Sequence, residues 1–204
     1  QTCALPICVV IPEGFDYRLL LSPQEAAAEL AALTEETPWE DHVFSMMGRT
    51  VPMPRRIAWY GDVAYAYSGV HHPARPFTPR IDALRLRVEA ASGLAFNVVL
   101  LNLYRDGRDS MGWHSDHDYD AGGQPAIASL SLGATRTFQL RRKRDAVRAA
   151  LPLESGSLLV MGAGTQLDWL HALPKVKAPV GPRLNLTFRH ISAPVPPRAP
   201  GSPS

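Results

Sequence analysis

The segment Arg183-Leu184-Asn185-Leu186-Thr187-Phe188-Arg189 alternates strictly between polar and apolar residues. This period of two predicts a β-strand, and one face of that strand is polar and carries two arginines. An exposed strand can show the same alternation. Residues 96–104 favour burial instead, because Asn102 and Tyr104 share one face of a predicted strand whose other residues are nearly all apolar. Buried polar side chains need partners, so the two polar faces predict a site inside a sheet.

The strand pattern extends over the second half of the chain. Strands are predicted over residues 96–104, 126–132, 135–141, 157–161 and 183–190. Turns with glycine or proline separate them, as in a sandwich or a jelly roll. Helix signals lie earlier: Ser22-Pro23-Gln24-Glu25 is a capping box before a helix over about 23–34, and Thr78-Pro79 begins a helix that ends near Gly93. The fold class is therefore mainly β with added helices.

Composition excludes several classes of protein. The 204 residues are 46% hydrophobic and carry a net charge of +2, which is typical of one folded domain. The apolar run 98–101 is far shorter than the ~20 residues of a membrane span, so we expect no membrane association. Cys3 and Cys8 form neither a zinc-finger pattern nor a disulfide framework, so we expect a cytoplasmic protein, nucleoid-associated in a bacterium. Nothing in the sequence demands a partner subunit, and we expect a monomer.

Two histidines and an aspartate are candidate metal ligands. His114 and Asp116 are two positions apart, so on a strand both point to one face, roughly 6.5 Å apart. His171 lies at the end of a later strand-like run and can supply a third ligand. Two histidines and one carboxylate form the facial triad of non-heme Fe(II) enzymes, which leaves coordination positions open. The H-x-D pattern alone also occurs by chance.

The polar strand faces indicate what binds beside the metal. Arg183, Asn185, Thr187, Arg189 and Tyr104 would converge near it if both strands belong to one sheet. Arginine recognises carboxylates in a bidentate way. The residues therefore favour a small di-acid as the second ligand of the site.

The motifs that carry these residues resemble the AlkB family of Fe(II)- and 2-oxoglutarate-dependent dioxygenases. They are, in chain order, Asn102-Leu103-Tyr104, His114-Ser115-Asp116, His171 and the segment 183–189. The segments 109–116, 127–138 and 182–189 are most similar to the branch that contains the human nucleic-acid demethylases and their bacterial relatives. The resemblance covers roughly residues 43–191. It implies a double-stranded β-helix, or jelly roll, preceded by two helices and a substrate-recognition lid.

The chain is accordingly expected to form one structural domain with three segments. An N-terminal extension over 1–95 carries the helices and the nucleotide-recognition lid, and the catalytic double-stranded β-helix covers 96–191. An unstructured tail over 192–204 contains five prolines.

The resemblance also implies a role for each polar residue of the site. His114, Asp116 and His171 would bind Fe(II), with 2-oxoglutarate and O₂ as the other cofactors. Arg183 would pair with the distal carboxylate of 2-oxoglutarate, while Arg189 and Asn102 would hold the carboxylate that chelates iron. Three further residues would complete the pocket: Tyr104, Asn185 and Thr187.

Basic residues point to a nucleic acid as the partner. Residues 136–148 contain six basic residues against one acidic residue, and residues 49–56 contain three arginines. Such patches suit phosphate contacts, although a solvated surface is the alternative for each. The predicted contacts to the nucleic-acid backbone are Arg49, Arg55, Arg56, Arg141, Arg142 and Lys143.

The target base is expected to be flipped out of the stack and held against aromatic rings. By the resemblance, we assign it to Tyr65, Tyr67, Asp118 and Arg136. The loop after Asp116 departs from the family, because His117-Asp118-Tyr119 and Gly122-Gly123 stand where close relatives have an acidic pair followed by proline. The preferred base is therefore left open.

These observations predict a DNA repair enzyme that removes N-alkyl lesions such as 1-methyladenine and 3-methylcytosine by oxidative demethylation. Two alternatives remain at this point. One is a 2-oxoglutarate oxygenase that acts on a protein or a small molecule, and the other is a catalytically silent nucleic-acid-binding protein of the same fold. The choice between DNA and RNA is also open.

Overall fold

The computed structural model describes residues 10–46, 49–63, 65–67, 70–72, 74–116 and 126–191. The helices of this part are α1 (Pro23–Glu36), α2 (Pro79–Ser92) and α3 (Thr165–Asp168). The strands of the first half are β1 (Phe15–Leu19), β2 (Val43–Met46), β3 (Arg49–Pro52), β4 (Arg56–Gly61), β5 (Tyr65–Tyr67) and β6 (Val70–His72). The later strands are β7 (Val98–Tyr104), β8 (Met111–His114), β9 (Ile127–Gly133), β10 (Arg136–Arg142), β11 (Arg148–Leu153), β12 (Ser157–Met161), β13 (Trp169–Leu173) and β14 (Arg183–Arg189).

Both predicted helices are present, with the predicted caps. The Ser22 hydroxyl accepts from the Glu25 backbone N–H, and the Glu25 carboxylate accepts from the Ser22 backbone N–H at 2.8 Å. These reciprocal bonds satisfy two of the amides that a helix start leaves without partners. Helix α2 ends at Gly93, whose positive φ of 72° is a left-handed conformation that glycine adopts at little cost.

Two antiparallel sheets form the core of the molecule. The larger sheet has the strand order β1-β12-β9-β14-β7-β4, and the smaller has the order β11-β10-β13-β8. Strand β14 lies inside the larger sheet, with Asn185 opposite Asn102 on one side and Ser131 on the other. This mainly β architecture is consistent with the predicted jelly roll.

The prediction missed two strands of the larger sheet, because both lie before residue 96. Strand β1 pairs with β12, and β4 pairs with β7. The sheet therefore takes strands from both sides of the predicted segment boundary. The division into three segments stays a prediction, and the N-terminal nine residues and the tail over 192–204 lie outside the described residues.

One hydrophobic cluster covers one face of the larger sheet, and on the opposite face two smaller clusters leave a polar region around β14. Leu184, Leu186 and Phe188 of β14 belong to one buried cluster with Leu33 of α1 and Val88 of α2. The alternate residues of β14 are polar but equally buried, and they face the smaller sheet. The polar face of β14 is therefore enclosed between the two sheets.

Two short hairpins precede and follow β4 in the segment where the lid is predicted, and their role as a lid stays a prediction. Strands β2 and β3 form one hairpin before it, and β5 and β6 form the other after it. No helix within the described ranges is long and apolar enough to cross a membrane.

Candidate metal centre and carboxylate pocket

The three predicted metal ligands meet between the sheets. His114 on β8 lies opposite His171 on β13 in the sheet ladder, and Asp116 follows the end of β8. Their possible ligand atoms all lie within 4.8 Å of one another. Each residue can therefore offer one atom to a single ion.

The histidines are held in the state that a metal requires. His114 Nδ1 donates to the Gly112 carbonyl at 2.8 Å, which leaves Nε2 directed toward Asp116 Oδ1, 3.5 Å away. Phe138 stacks against the His171 ring at a centroid distance of 5.2 Å. Burial lowers the pKa of His114, and it lowers the pKa of His171 to about 3. Both rings are therefore neutral at neutral pH, as metal ligands must be.

Asp116 is the one buried acid of the triad. Burial alone would raise the pKa of its carboxyl group, but the Arg189 guanidinium and the two neighbouring imidazoles outweigh burial and hold the pKa far below its ordinary value. Arg189 Nη2 donates to Asp116 Oδ2 at 2.8 Å, and both side chains are almost fully buried. Asp116 is therefore an anion in the folded protein.

Arg183 is also a buried cation, but its surroundings differ from those of Arg189. It is 3% exposed, its Nη2 donates to Ser131 Oγ at 2.9 Å, and its guanidinium carbon lies 5.4 Å from the centre of the Tyr104 ring. No carboxylate among the described residues lies within ion-pair distance of it, and its Nε is buried without a hydrogen-bond partner there. Burial lowers the pKa of Arg183 to about 10, so the group stays charged at neutral pH. An uncompensated buried charge is costly unless a ligand neutralises it.

Hydrogen bonds order the polar residues between Arg183 and Asp116. Asn185 Nδ2 donates to Ser129 Oγ at 2.7 Å, and the Thr187 hydroxyl donates to Asn185 Oδ1 at 2.8 Å. Asn102 Oδ1 accepts from Arg55 Nε at 2.8 Å. The network spans β7, β14 and β9, so the side chains are fixed by the larger sheet.

These residues fit a divalent metal and a dicarboxylate. Two neutral imidazoles and a carboxylate are a donor set for Fe(II), and the Arg183 cation, which has no acidic partner among the described residues, is a receptor for a carboxylate. The pocket that both share has about 590 Å³ of free space, its open mouth included.

Comparison with known proteins agrees with this chemistry. The family model described as the 2OG-Fe(II) oxygenase superfamily matches residues 16–189. The chain belongs to the 2OG-Fe(II) oxygenase superfamily. The resemblance to the AlkB branch is confirmed by the relatives described next, and the predicted cofactors, Fe(II), 2-oxoglutarate and O₂, are those of this family.

Two relatives of this chain have informative names. It is 41% identical over 191 residues to the alpha-ketoglutarate-dependent dioxygenase alkB homolog 3 of Rattus norvegicus, which covers 89% of this chain. It is 36% identical over 194 residues to the DNA oxidative demethylase ALKBH2 of Homo sapiens, covering 88% of this chain and 74% of the relative. The chain spans only 64% of the length of the rat protein. The solved structure of OsALKBH1 supports the fold, with a TM-score of 0.67 at 17% identity, covering 89% of this chain and 100% of that chain.

Two of the predicted nucleic-acid contacts are corrected. Arg55 is 4% exposed and lines the metal pocket beside Asn102, so it is a pocket residue and does not reach a surface phosphate. Arg136 is 2% exposed and donates to the backbone carbonyls of Asp106, Asp109 and Pro174 at 2.6–3.2 Å. Its guanidinium joins three loop positions, and the structure gives no support to a base contact.

Arg56, Arg141, Arg142 and Lys143 are more exposed, and each has a partner within the protein. Arg56 forms a two-pronged pair with Asp41, and Arg142 forms another with Asp145. Arg141 lies over the Trp113 ring at 4.9 Å, and no ion pair to a carboxylate joins it in the described part of the chain. These phosphate contacts stay predictions.

Several other predicted contacts cannot be placed in the same detail. Arg49 begins β3, and Tyr65 and Tyr67 lie on β5, where the structure describes the backbone alone. Asp118 lies outside the described residues.

The sequence interpretation missed three polar pocket or support residues. Ser129 and Ser131 lie two positions apart in the otherwise apolar strand β9, the same signal that drew attention to Asn102. Gln166, on α3, accepts from the Asp116 backbone N–H. No sequence pattern distinguishes it, because it reaches Asp116 across 50 positions of the chain.

Proposed function

We propose that the protein is an oxidative demethylase of N-alkylated bases in nucleic acid. One observation carries the proposal: a facial triad and a buried arginine, which has no acidic partner among the described residues, share a single pocket. The names of the relatives, a dioxygenase and a DNA oxidative demethylase, support the reaction and the substrate. Lesions such as 1-methyladenine and 3-methylcytosine carry the N-methyl group that such a reaction removes.

Each residue of the pocket has a task in this proposal. His114, Asp116 and His171 hold Fe(II), which with 2-oxoglutarate and O₂ supplies the oxidant for a C–H bond. Arg183 binds the distal carboxylate of 2-oxoglutarate, helped by Tyr104 and the ordered hydroxyls of β9. A second set of polar groups lies nearer the metal and orients the carboxylate that chelates it: Asn102, Asn185, Thr187, Arg189 and Arg55.

The overall reaction balances without another reductant. The N-methyl group, 2-oxoglutarate and O₂ give an N-hydroxymethyl group, succinate and CO₂. The hydroxymethyl group then loses its hydroxyl proton, its C–N bond breaks toward the ring nitrogen, and formaldehyde leaves. No acid of the pocket has to donate a proton, which suits a site whose one buried acid in the described residues is an anion.

The outer face of the smaller sheet supports nucleic acid as the substrate. Strand β8 is an edge strand, and Ser110 at its start bonds to Pro54 just before β4, the strand that the two lid hairpins flank. Trp113 on β8 is 38% exposed and is stacked by Arg141, an aromatic and cationic pair of the kind that binds bases and phosphates. We assign the first contact outside the pocket to this pair.

The proposal includes the oligomeric state of the protein and its compartment in the cell. A monomer would suffice for this site, because all three predicted metal ligands and Arg183 belong to one chain. The cysteine usage supports the cytoplasm, where thiols stay reduced.

Mass spectrometry of a damaged oligonucleotide tests the proposal. The protein is incubated with Fe(II), ascorbate, 2-oxoglutarate and DNA or RNA of one sequence that carries a single 1-methyladenine. We expect loss of the methyl group only when 2-oxoglutarate is present, and no loss with Asp116→Ala. Conversion of 2-oxoglutarate to succinate with both oligonucleotides still methylated would refute the substrate. No turnover at all would favour a silent nucleic-acid-binding protein.

A further inference from the structure

Gln166 contacts a metal ligand without belonging to the pocket. Its side chain is 3% exposed, and its Oε1 accepts from the Asp116 backbone N–H at 3.0 Å. Gln166 Nε2 is enclosed by Met161 Sδ at 3.5 Å and Thr165 Oγ1 at 3.4 Å. The side chain is thus fixed at both ends in the interior.

Lys143 links the segment that carries Asp116 to helix α3, which carries Gln166. Its Nζ donates to the Ser115 hydroxyl at 3.1 Å and to the Gln166 backbone carbonyl at 2.8 Å. One ammonium group therefore joins the turn after β10, the segment that carries Asp116, and helix α3. Gln166 and Lys143 together are called the Asp116 clamp below.

Asp116 needs such a clamp because the sheet does not hold it. The pairing of β8 with β13 has His114 opposite His171, and β8 ends at His114. Asp116 lies two residues further on, where no ladder bond fixes the backbone. An amide that is buried without an acceptor costs about 1–3 kcal/mol, so the Gln166 acceptor favours one backbone position over others.

We infer that Gln166 and Lys143 are positioning residues that keep the Asp116 carboxylate within reach of the metal bound by the two histidines. The inference rests on the metal site of the proposed function. It gives Lys143 a task different from the predicted phosphate contact. The two roles have different consequences, because a phosphate contact affects nucleic-acid affinity and a clamp affects metal affinity.

Titration of the metal-free protein with Co(II), followed by visible absorption, tests the clamp. Gln166→Met removes the acceptor at nearly constant volume, and we expect a 10- to 100-fold loss of Co(II) affinity, the usual effect of a group that orients a metal ligand. Gln166→Glu keeps an acceptor oxygen and should recover most of the affinity. Gln139→Met, the same change at a half-buried position of β10, is the control and should bind Co(II) as the unmodified protein does.

A second pair of variants changes exposed residues, where a substitution is not expected to disturb folding. Lys143→Met should weaken Co(II) binding several-fold, whereas Arg144→Met, the same loss of charge at the next residue, should leave it within twofold. Unchanged Co(II) affinity in both Gln166→Met and Lys143→Met would overturn the inference. Nucleic acid and 2-oxoglutarate are absent from this titration. A protein that binds Co(II) but does not demethylate would therefore refute the proposed function and leave the clamp intact.

Discussion

Strands β14 and β10 are each seven residues long and carry arginines at both ends, yet the arginines have different tasks. All residues of β14 are buried, and its arginines face the pocket, where Arg183 lacks an acid and Arg189 binds Asp116. In β10, Arg136 bonds to backbone carbonyls and Arg142 bonds to Asp145. The comparison teaches that the role of an arginine follows from what its surroundings leave without a partner.

The difference arises from what covers the two strands. Strand β14 has a neighbouring strand on each side and helices over its apolar face, so its polar face is left to the pocket. Strand β10 also lies inside a sheet, but only Arg136 and Leu140 among its seven residues are buried. Arg141 and Arg142 can therefore contact groups at the surface.

The largest expected effect comes from removing the acid that Arg189 contacts. Asp116→Ala should lower 2-oxoglutarate turnover at least about a thousandfold, because a metal ligand worth several kcal/mol is lost. Nucleic-acid affinity, measured by fluorescence anisotropy, should change less than about threefold, since phosphate contacts remain. Turnover above a tenth of normal would contradict the triad.

Arg183→Met should separate ligand binding from stability. We expect the apparent KM for 2-oxoglutarate to rise about 100-fold, because a charge-assisted contact is worth up to ~3 kcal/mol. The ligand-free protein should become more stable by about 1–3 kcal/mol, because burial lowers the pKa of Arg183 to about 10 and so opposes its charge. Arg141→Met is the matched control and should leave KM unchanged. A KM within threefold of normal would mean that another cation holds the carboxylate.

The same substitution on β10, Arg136→Met, should have the opposite effect on stability and lower the free energy of unfolding. Arg136→Met leaves the three carbonyls of Asp106, Asp109 and Pro174 without this donor, and we expect a loss of about 2–3 kcal/mol in the free energy of unfolding. Urea denaturation measures the change for both variants. A stabilised Arg136→Met protein would show that the buried charge outweighs its hydrogen bonds, and the contrast between the strands would disappear.

Elements whose signal is local in the sequence could be predicted from it. Alternation along β14, together with Asn102 and Tyr104, predicts a buried polar face because both signals are local. Strands β7, β9, β10 and β12 were predicted in the same way, whereas β11 was not predicted. Strands β1 and β4 were not predicted. Strand β1 is short, none of its residues is fully buried, and its place depends on pairing with β12, which is distant in the chain. Strand β4 is buried through its pairing with β7, about 40 positions later.

The number of basic residues in a segment does not predict what each of them contacts. Arg55 and Arg56 are adjacent, but one is buried against Asn102 and the other pairs with Asp41 at the surface. No pattern within the segment distinguishes them. Lys143 and Gln166 are equally indistinct, because their shared task depends on the position of Asp116.

Acidification should lower the stability of the metal-free protein because of His171, which lies on β13, the strand beside β10. Burial lowers the pKa of His171 from 6.5 to about 3, so below pH 6.5 the unfolded chain takes up a proton that the folded protein refuses. Stability is therefore lost as the pH falls from 6.5 toward 3, by about 2 kcal/mol at pH 5. His171→Gln should flatten this dependence, and His190→Gln, at an exposed position after β14, should not. Equal pH dependence in the two variants would contradict the prediction.

The smallest effect is expected at the outer face of β10. Leu140 pairs with His171 across the inner side, so Arg141 points outward, where it covers Trp113. Arg141→Ala should weaken binding of a single-stranded oligonucleotide a few-fold and reduce the slope of log affinity against log salt by about 0.7, the value for one phosphate contact. Arg80→Ala is the control, because it removes the same charge from α2, which packs against the larger sheet. An unchanged slope with Arg141→Ala would make this pair a solvated surface and would move the nucleic-acid contact to the lid hairpins.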